Sequence, residues 1–221
     1  MTNGGNPFDF LLYISSHSHQ FQTALSQHIH LTVVSVLVAI AIAVPLGIVA
    51  TRIGILARPL TFLAGIGQTI PSLAILGLVL PWLGIGFTPS LFALTIRAIL
   101  PIFLNTYIGI RSVEAAVIDA SRGMGANNAQ RLFLVELPLA SPVIYAGIQT
   151  ATVQTIGVAT LAAFIGGGGL GDLILQGLAL VDMPTLLAGA IPVALLAIAA
   201  DIVLGQLRRF VIPRAFRLGA A

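Results

Sequence analysis

The segment PLTFLAGIGQTIPSLAILGLVLPWLGIGFTPSLFALTI, residues 59–96, runs from Arg58 to Arg97 without a charged side chain. A second charge-free run separates Glu136 from Asp172. Each exceeds the roughly 20 apolar residues that carry a helix across a hydrocarbon core about 30 Å thick. Of the 221 residues, 57% are hydrophobic and only 8% are charged. A soluble domain keeps about 25% charged residues to wet its surface. The chain therefore reads as an all-α integral membrane protein.

Working outward from these runs gives five spans, at 29–51, 59–81, 88–110, 139–165 and 184–207. They form a membrane domain over 29–210, preceded by an extracytoplasmic or interfacial segment, 1–28, and followed by a tail, 211–221. Pro45, Pro71, Pro101 and Pro192 fall inside spans, where neighbouring helices satisfy the freed carbonyls. Arg52 and Arg58 lie between spans one and two. Arg111, Arg122 and Arg131 lie between three and four, and Arg208, Arg209, Arg214 and Arg217 follow span five. The other loops hold Asp9, Asp172 and Asp182 but no arginine. Positive charge gathers on the cytoplasmic side, so the N-terminus is expected outside and the C-terminus in the cytoplasm; Arg97 alone breaks the pattern. The first 27 residues have no basic region before an apolar stretch, so a cleaved leader is not expected. Phe8, Phe10, Leu11, Leu12, Tyr13 and Ile14 suggest an amphipathic segment at the outer interface.

Several function classes are excluded. There is no cysteine and no lysine, so thiolate chemistry and the lysine of a Walker A loop are both missing. The carboxylates are too few and too dispersed for paired-acid catalysis, and no catalytic residue is assigned. The arginines are scattered between spans instead of forming a nucleic-acid face. His17, His19, His28 and His30 have no carboxylate beside them to complete a metal site, and are expected to be ligand-free at the interface.

The loop 112–137 is the most specific part of the chain. Residues 113–122 are good helix formers, and Gly123 and Gly125 supply left-handed backbone to end a helix. Asn127 and Gln130 have capping-box spacing for a second helix carrying Leu132, Phe133 and Val135, and Pro138 opens the next span. Two short helices meeting at a glycine corner are expected. Such a corner suits either a lever seated in a partner's groove or an ordinary amphipathic cover for the bundle.

This loop resembles the EAA signature of the permease subunits of bacterial type I ABC importers: Glu-Ala-Ala, three residues, Gly, nine residues, then Ile-x-Leu-Pro. The literal Glu114-Ala115-Ala116 is out of register, because its glycine would fall at Ala120. In register, Asp119-Ala120-Ser121 stands for Glu-Ala-Ala, Arg122 follows it, and Gly125 and Val135-Glu136-Leu137-Pro138 complete the pattern. Asp119 shortens the family's acidic side chain, so a family salt bridge is longer or remade here. Thr106-Tyr107-Ile108-Gly109-Ile110-Arg111, Thr150-Ala151-Thr152-Val153 and the stretch Ala159–Ile174 are similar to the osmoprotectant branch of the class, and the resemblance covers about 30–210. It implies import of glycine betaine, choline or carnitine. It also implies a cytoplasmic ATPase subunit carrying the ATP and Mg, with the loop docked into its cleft. A second permease subunit, identical or a close paralogue, and an extracytoplasmic binding protein complete the assembly, in the lipid of the inner membrane. Other small solutes, such as methionine or a sulfonate, fit the same class, and an ATP-independent channel or carrier is the alternative outside it.

Polar residues at pore depth are Gln68, Thr69, Asn105, Gln149, Thr152, Gln154 and Thr155, with Gln149, Thr152 and Thr155 expected on one stripe. They either line a pathway or hydrogen-bond between helices. Arg97 lies about 13 Å into span three at 1.5 Å per residue. An ionisable residue at such depth faces a partner or water: Asp201 is one candidate partner, and a substrate carboxylate is another. Trp82 and Tyr107 either offer a cation–π site for a quaternary ammonium or anchor in the interfacial belt. Gly166-Gly-Gly-Gly-Leu-Gly171 reads as a flexible outer turn, not a phosphate cradle.

Overall fold

The computed structural model describes residues 9–211; Phe8 of the expected interfacial segment, and Arg214 and Arg217 of the expected tail, lie outside them. Helix α1 (Asp9–Ser16) leads into α2 (Ser18–Arg52), a rod of 35 residues and about 52 Å. The first span is thus longer than the expected 29–51. Helices α3 (Gly54–Thr69) and α4 (Ser72–Leu83) follow, bent by 104° at the break between them. Helix α5 (Phe87–Arg111) matches the expected third span. Two short helices, α6 (Ala115–Gly123) and α7 (Asn128–Arg131), precede α8 (Leu137–Ala159), then α9 (Leu170–Leu180) and α10 (Met183–Val211).

The expected span 59–81 is therefore two helices, and Pro71 sits at their junction. A proline ring forces the preceding residue out of the helical region, and Ile70 is extended at φ −69°, ψ 126°. Pro45, Pro101 and Pro192 stay inside helices. What differs at Pro71 is the support: α3 buries only Ala64, so little packing resists the bend, whereas α2 and α5 are buried along one face for their whole lengths.

The ends of the helices define the topology. Arg52 closes α2, Arg111 closes α5, and both line one cavity with Glu136 at the foot of α8. Helices α2 and α5 are therefore parallel, and α3 with α4 must return the chain between them as one broken crossing. Helix α8 rises from the same basic end. Helix α10 comes back down beside it, with the Tyr145 hydroxyl donating to the Leu204 carbonyl at 2.7 Å. Four helices are long and apolar enough to cross, and the bent pair α3–α4 taken as one span makes five.

Helix α5 is the axis of the bundle. On α2, Ala39, Ala43, Gly47 and Ala50 form a small-residue stripe against Ala98, Ile102, Phe103 and Thr106 of α5. On its other side, Gly147 and Ala151 of α8 admit the same helix. Lipid tails are as apolar as leucine, so membrane helices gain by close backbone approach at small residues. The fit is tight: a Cβ on Gly147 would lie 2.5 Å from the Cβ of Asn105, and one on Gly47 2.7 Å from that of Thr106.

A second core joins α9 and α10 to α2 and α8 through Ala24, Ile156, Leu170, Leu173 and Val193. Helix α9 was not expected; its 11 residues are too few to cross, so hydropathy gives it no span. Helix α1 seats Tyr13 on this core and leaves Leu11 and Leu12 exposed, so only part of the segment suits an interface.

Replacing Gly147 by alanine is expected to destabilise the bundle by about 1–3 kcal/mol. Gly157, with nothing within 4 Å of its Cβ position, tolerates alanine with no loss. Reversible unfolding of both variants in mixed micelles checks the contrast.

Candidate coupling loop and pathway face

Helix α6 ends in a Schellman motif. The amide of Gly125 donates to Arg122 and that of Ala126 to Ser121, with Gly125 at φ +81°. Only Gly125 is left-handed; Gly123 remains in the helix, a correction to the expectation for the pair. Ser121 is buried and its hydroxyl returns to the Ile118 carbonyl, so the third signature position must be small. The capping box is present in full: the Gln130 amide donates to Asn127 Oδ1 at 2.8 Å, and the Asn127 amide to Gln130 Oε1 at 2.9 Å.

The second loop helix does not stop before the span. Residues Leu132–Glu136 form a π-turn between α7 and α8, and a 3₁₀ turn, Thr160–Ile165, continues the far end. The rod Asn128–Ile165 is 38 residues long, about 57 Å. Pro138 explains the turn. It has no N–H for the next ladder bond, and the Leu137 amide reaches the Leu132 carbonyl in the wider spacing that accommodates the gap. The expected separate helix is in fact the lower end of the span.

At this junction Glu136 is 2% exposed and pairs with Arg52, Nη1 to Oε1 at 3.3 Å and Nη2 to Oε2 closer still. Two parallel contacts from a planar guanidinium fix orientation as well as charge. The pair ties the last residue of α2 to the base of the loop rod. Sequence reasoning singled out Val135, Leu137 and Pro138 and passed over Glu136. A lone acid entering a long apolar run was the available signal, because burying it demands a cation. Asp119, by contrast, pairs among the described residues only with Arg122 on its own helix, at 3.3 Å with both side chains exposed. Exposed pairs of this kind contribute at most about 1 kcal/mol.

The loop's most exposed large apolar residues are Met124 at the corner and Phe133 and Leu134 on the π-turn, at 81%, 64% and 73%, with Val117 of α6 less so. Val135 is half-buried, so Phe133 and Leu134 form the outer face, not the expected Leu132, Phe133 and Val135. Ala120 and Arg122 are exposed, while Leu137 and Pro138 are half-buried against the bundle.

The pathway residues are redistributed. Arg97 does not pair with Asp201: its Nη1 donates to the Gln68 carbonyl at 3.0 Å and approaches that of Gly67 at 3.5 Å. These carbonyls end α3 and have no helical donor beyond the break. A guanidinium there both satisfies them and meets the negative end of the helix dipole. Gln68 and Thr69 are exposed at this break. Asp201 instead accepts from Gln149 Nε2 at 2.7 Å, joining α8 to α10. Asn105 is half-buried and bonds the Pro101 carbonyl. Thr152 and Thr155 return their hydroxyls to Ile148 and Ala151, and Thr155 is buried. The open stripe on α8 is Thr150, Gln154 and Gly157, on the side of the helix away from the expected Gln149, Thr152 and Thr155. The small residues Gly147 and Ala151 fix which face turns inward. Trp82 is 86% exposed at the end of α4, whereas Tyr107 stacks on Phe103, so they form no joint site.

The glycine run is held, not flexible. The Gly169 amide donates to Gln27 Oε1 at 3.1 Å, and a Cβ on Gly167 would fall 2.2 Å from Ser90 Oγ. Beside it His28 is fully buried, with Nε2 3.0 Å from the Ile156 carbonyl, so it is a helix-packing residue and not an interfacial one. His17 stacks on Tyr13 and His30 on Phe87. Among the described residues, no three metal-ligating side chains converge.

Residues 18–216 match the family described as binding-protein-dependent transport system inner membrane component. The chain is 49% identical over 170 residues to the choline transport system permease protein OpuBB of Bacillus subtilis, covering 77% of this chain and 78% of that one. It is 42% identical to the carnitine transport permease protein OpuCB of Listeria monocytogenes, over 93% and 94% of the two chains. Against the osmoprotectant import permease protein OsmW of Salmonella typhimurium the identity is 39%, over 95% and 100%. Among solved structures, an inward-facing MetNI methionine ABC transporter chain superposes with a TM-score of 0.81 at 21% identity, over 89% of this chain and 98% of that one.

Arg52→Met leaves Glu136 buried without its cation and is expected to cost about 1–3 kcal/mol. Arg52→Met with Glu136→Met restores most of that loss, as unfolding in micelles will register. Arg97→Met removes the cap of α3 and is expected to cost about 1 kcal/mol, whereas Arg97→Lys keeps most of it. Equal unfolding midpoints for wild type and Arg97→Met would refute the cap.

Proposed function

The chain belongs to the family of binding-protein-dependent transport system inner membrane components, and on that premise we propose that it is the permease subunit of an ATP-driven importer for the quaternary-ammonium osmoprotectants glycine betaine, choline and carnitine. The observation that carries the coupling is the loop itself. A glycine corner presents Met124, Phe133 and Leu134 outward and is continuous with a membrane-crossing rod. A partner that grips the corner moves the rod. The substrate class rests on the relatives named for choline, carnitine and osmoprotectants at 39–49% identity. The methionine transporter's likeness, at 21% identity, concerns the fold alone.

In this reading the basic end is cytoplasmic, as the clustering of arginine there favours, with the N-terminus outside. A separate ATPase subunit, with its ATP and Mg, seats the corner of loop 112–137. A second permease copy or a close paralogue faces the α8 stripe Thr150, Gln154 and Gly157 across the pathway, related by the closed twofold pairing that most assemblies adopt. A binding protein delivers substrate at the opposite end, near the held glycine run. The ATP state shifts access only by as much as it binds one conformation more tightly than the other.

Gly125→Val forces a β-branched residue into left-handed backbone, a strain of about 1–3 kcal/mol, and is expected to cut ATP-driven uptake at least tenfold while membrane insertion stays intact. In proteoliposomes with the binding protein and ATPase, labelled choline, carnitine or betaine should accumulate and methionine should not. Uptake without a co-purifying ATPase would refute the reading.

A further inference from the structure

Between the loop and the spans lies a polar cavity of about 350 Å³. Arg52 from the end of α2, Arg111 from the end of α5, Arg122 from α6 and Arg131 from α7 line it, with Glu136 as the one carboxylate. Four guanidiniums meet one carboxylate in the lining, and two of them, Arg111 and Arg131, carry charge that no carboxylate among the described residues offsets. Glu136 is already engaged by Arg52, and Asp119 holds Arg122 from the exposed side. Among the described residues, Arg111 and Arg131 have no carboxylate within ion-pair distance. Arg131 gives Nη2 to Asn128 Oδ1 at 2.7 Å, while its Nε is buried without a partner. Like charges gathered in a partly enclosed site repel one another unless an anion joins them.

We propose that this cavity is a binding site for the phosphate headgroup of an anionic phospholipid. Placement selects the lipid over a soluble anion. The cavity opens where α2 and α5 end, the depth at which hydrocarbon gives way to headgroups, and basic pockets between helices at that level suit anionic headgroups. Planar guanidiniums bind phosphate oxygens in pairs. Ile53 and Ile55, which follow Arg52 in the chain, are 45% and 83% exposed and offer the acyl chains an apolar bed. None of the apolar docking residues, Met124, Phe133 or Leu134, lines the cavity, so the lipid and the proposed ATPase occupy different faces of one loop. A bound headgroup would bridge α2 and α5 to α6 and α7, stiffening the loop's attachment from the membrane side.

The cytoplasmic placement rests on the proposed orientation, but lipid retention is measured without transport, so the two stand or fall separately. Native mass spectrometry of the full-length permease, released from equal phosphatidylglycerol and phosphatidylcholine, should show phosphatidylglycerol retained in preference. Removing one arginine weakens such contacts about fivefold, so Arg111→Gln with Arg131→Gln should lower retention about 25-fold. Arg58→Gln, outside the cavity, should leave it unchanged, and Arg111→Lys should largely preserve it. If the double variant does not assemble, the exposed Arg111→Gln alone should show the fivefold loss. Equal retention of both lipids, undiminished binding by the arginine variants, or displacement of the lipid by millimolar inorganic phosphate would each overturn the proposal.

Discussion

The bidentate pair between Arg52 and Glu136 ties the end of α2 to the base of the loop rod. Glu136 is a buried acid at the foot of a membrane-crossing rod, and without a cation its charge would be intolerable there. Arg52 is the last residue of α2, which is packed against α5 by a stripe of alanine and glycine. The base of the loop rod is thus tied to the end of α2, the loop's other end follows directly from α5, and the Pro138 π-turn keeps it continuous with α8. A corner free at its tip and fixed at its base is the geometry a lever needs.

The same economy of polar groups governs the rest of the membrane interior. Arg97 finds the carbonyls that the α3–α4 break leaves open, Gln149 finds Asp201, and Thr152 and Thr155 return to their own backbone. At membrane depth each unsatisfied group costs several kcal/mol, and these side chains are engaged by structure, whereas the buried hydroxyls of Thr32 and Ser35 on α2 have no partner among the described residues. What remains open on α8, the Thr150–Gln154–Gly157 stripe, is the face with capacity left for a neighbour or a solute.

Much of this was legible in the sequence. Charge-free runs gave the crossings, the placement of arginine gave one basic end, and the Asn127–Gln130 spacing gave a capping box that the structure contains. Gly125 was identifiable as the corner because an exposed helix end needs left-handed backbone. The failures share a cause: they depend on what packs beside a residue. Pro71 reads like Pro45 or Pro101, and nothing in the residues around it marks it as a break. Helix α9 is too short for a hydropathy window. The open stripe of α8 was placed on the wrong side of the helix because distant elements take the other faces: α5 at Gly147 and Ala151, and α10 at Gln149. Glu136 was overlooked because its partner lies 84 residues away.

The central claim is that the loop and the span above it move as one body. The chain has no cysteine, so spin labels can be placed at will. The decisive measurement is a pair of distances in the assembled transporter with and without trapped nucleotide: 128 to 150 within one sparsely labelled copy, and 124 to the equivalent loop position across the permease pair. The account predicts that the first stays constant while the second changes. A first distance that shifts with nucleotide while the second holds still would show that the loop flexes independently, and the lever would be lost.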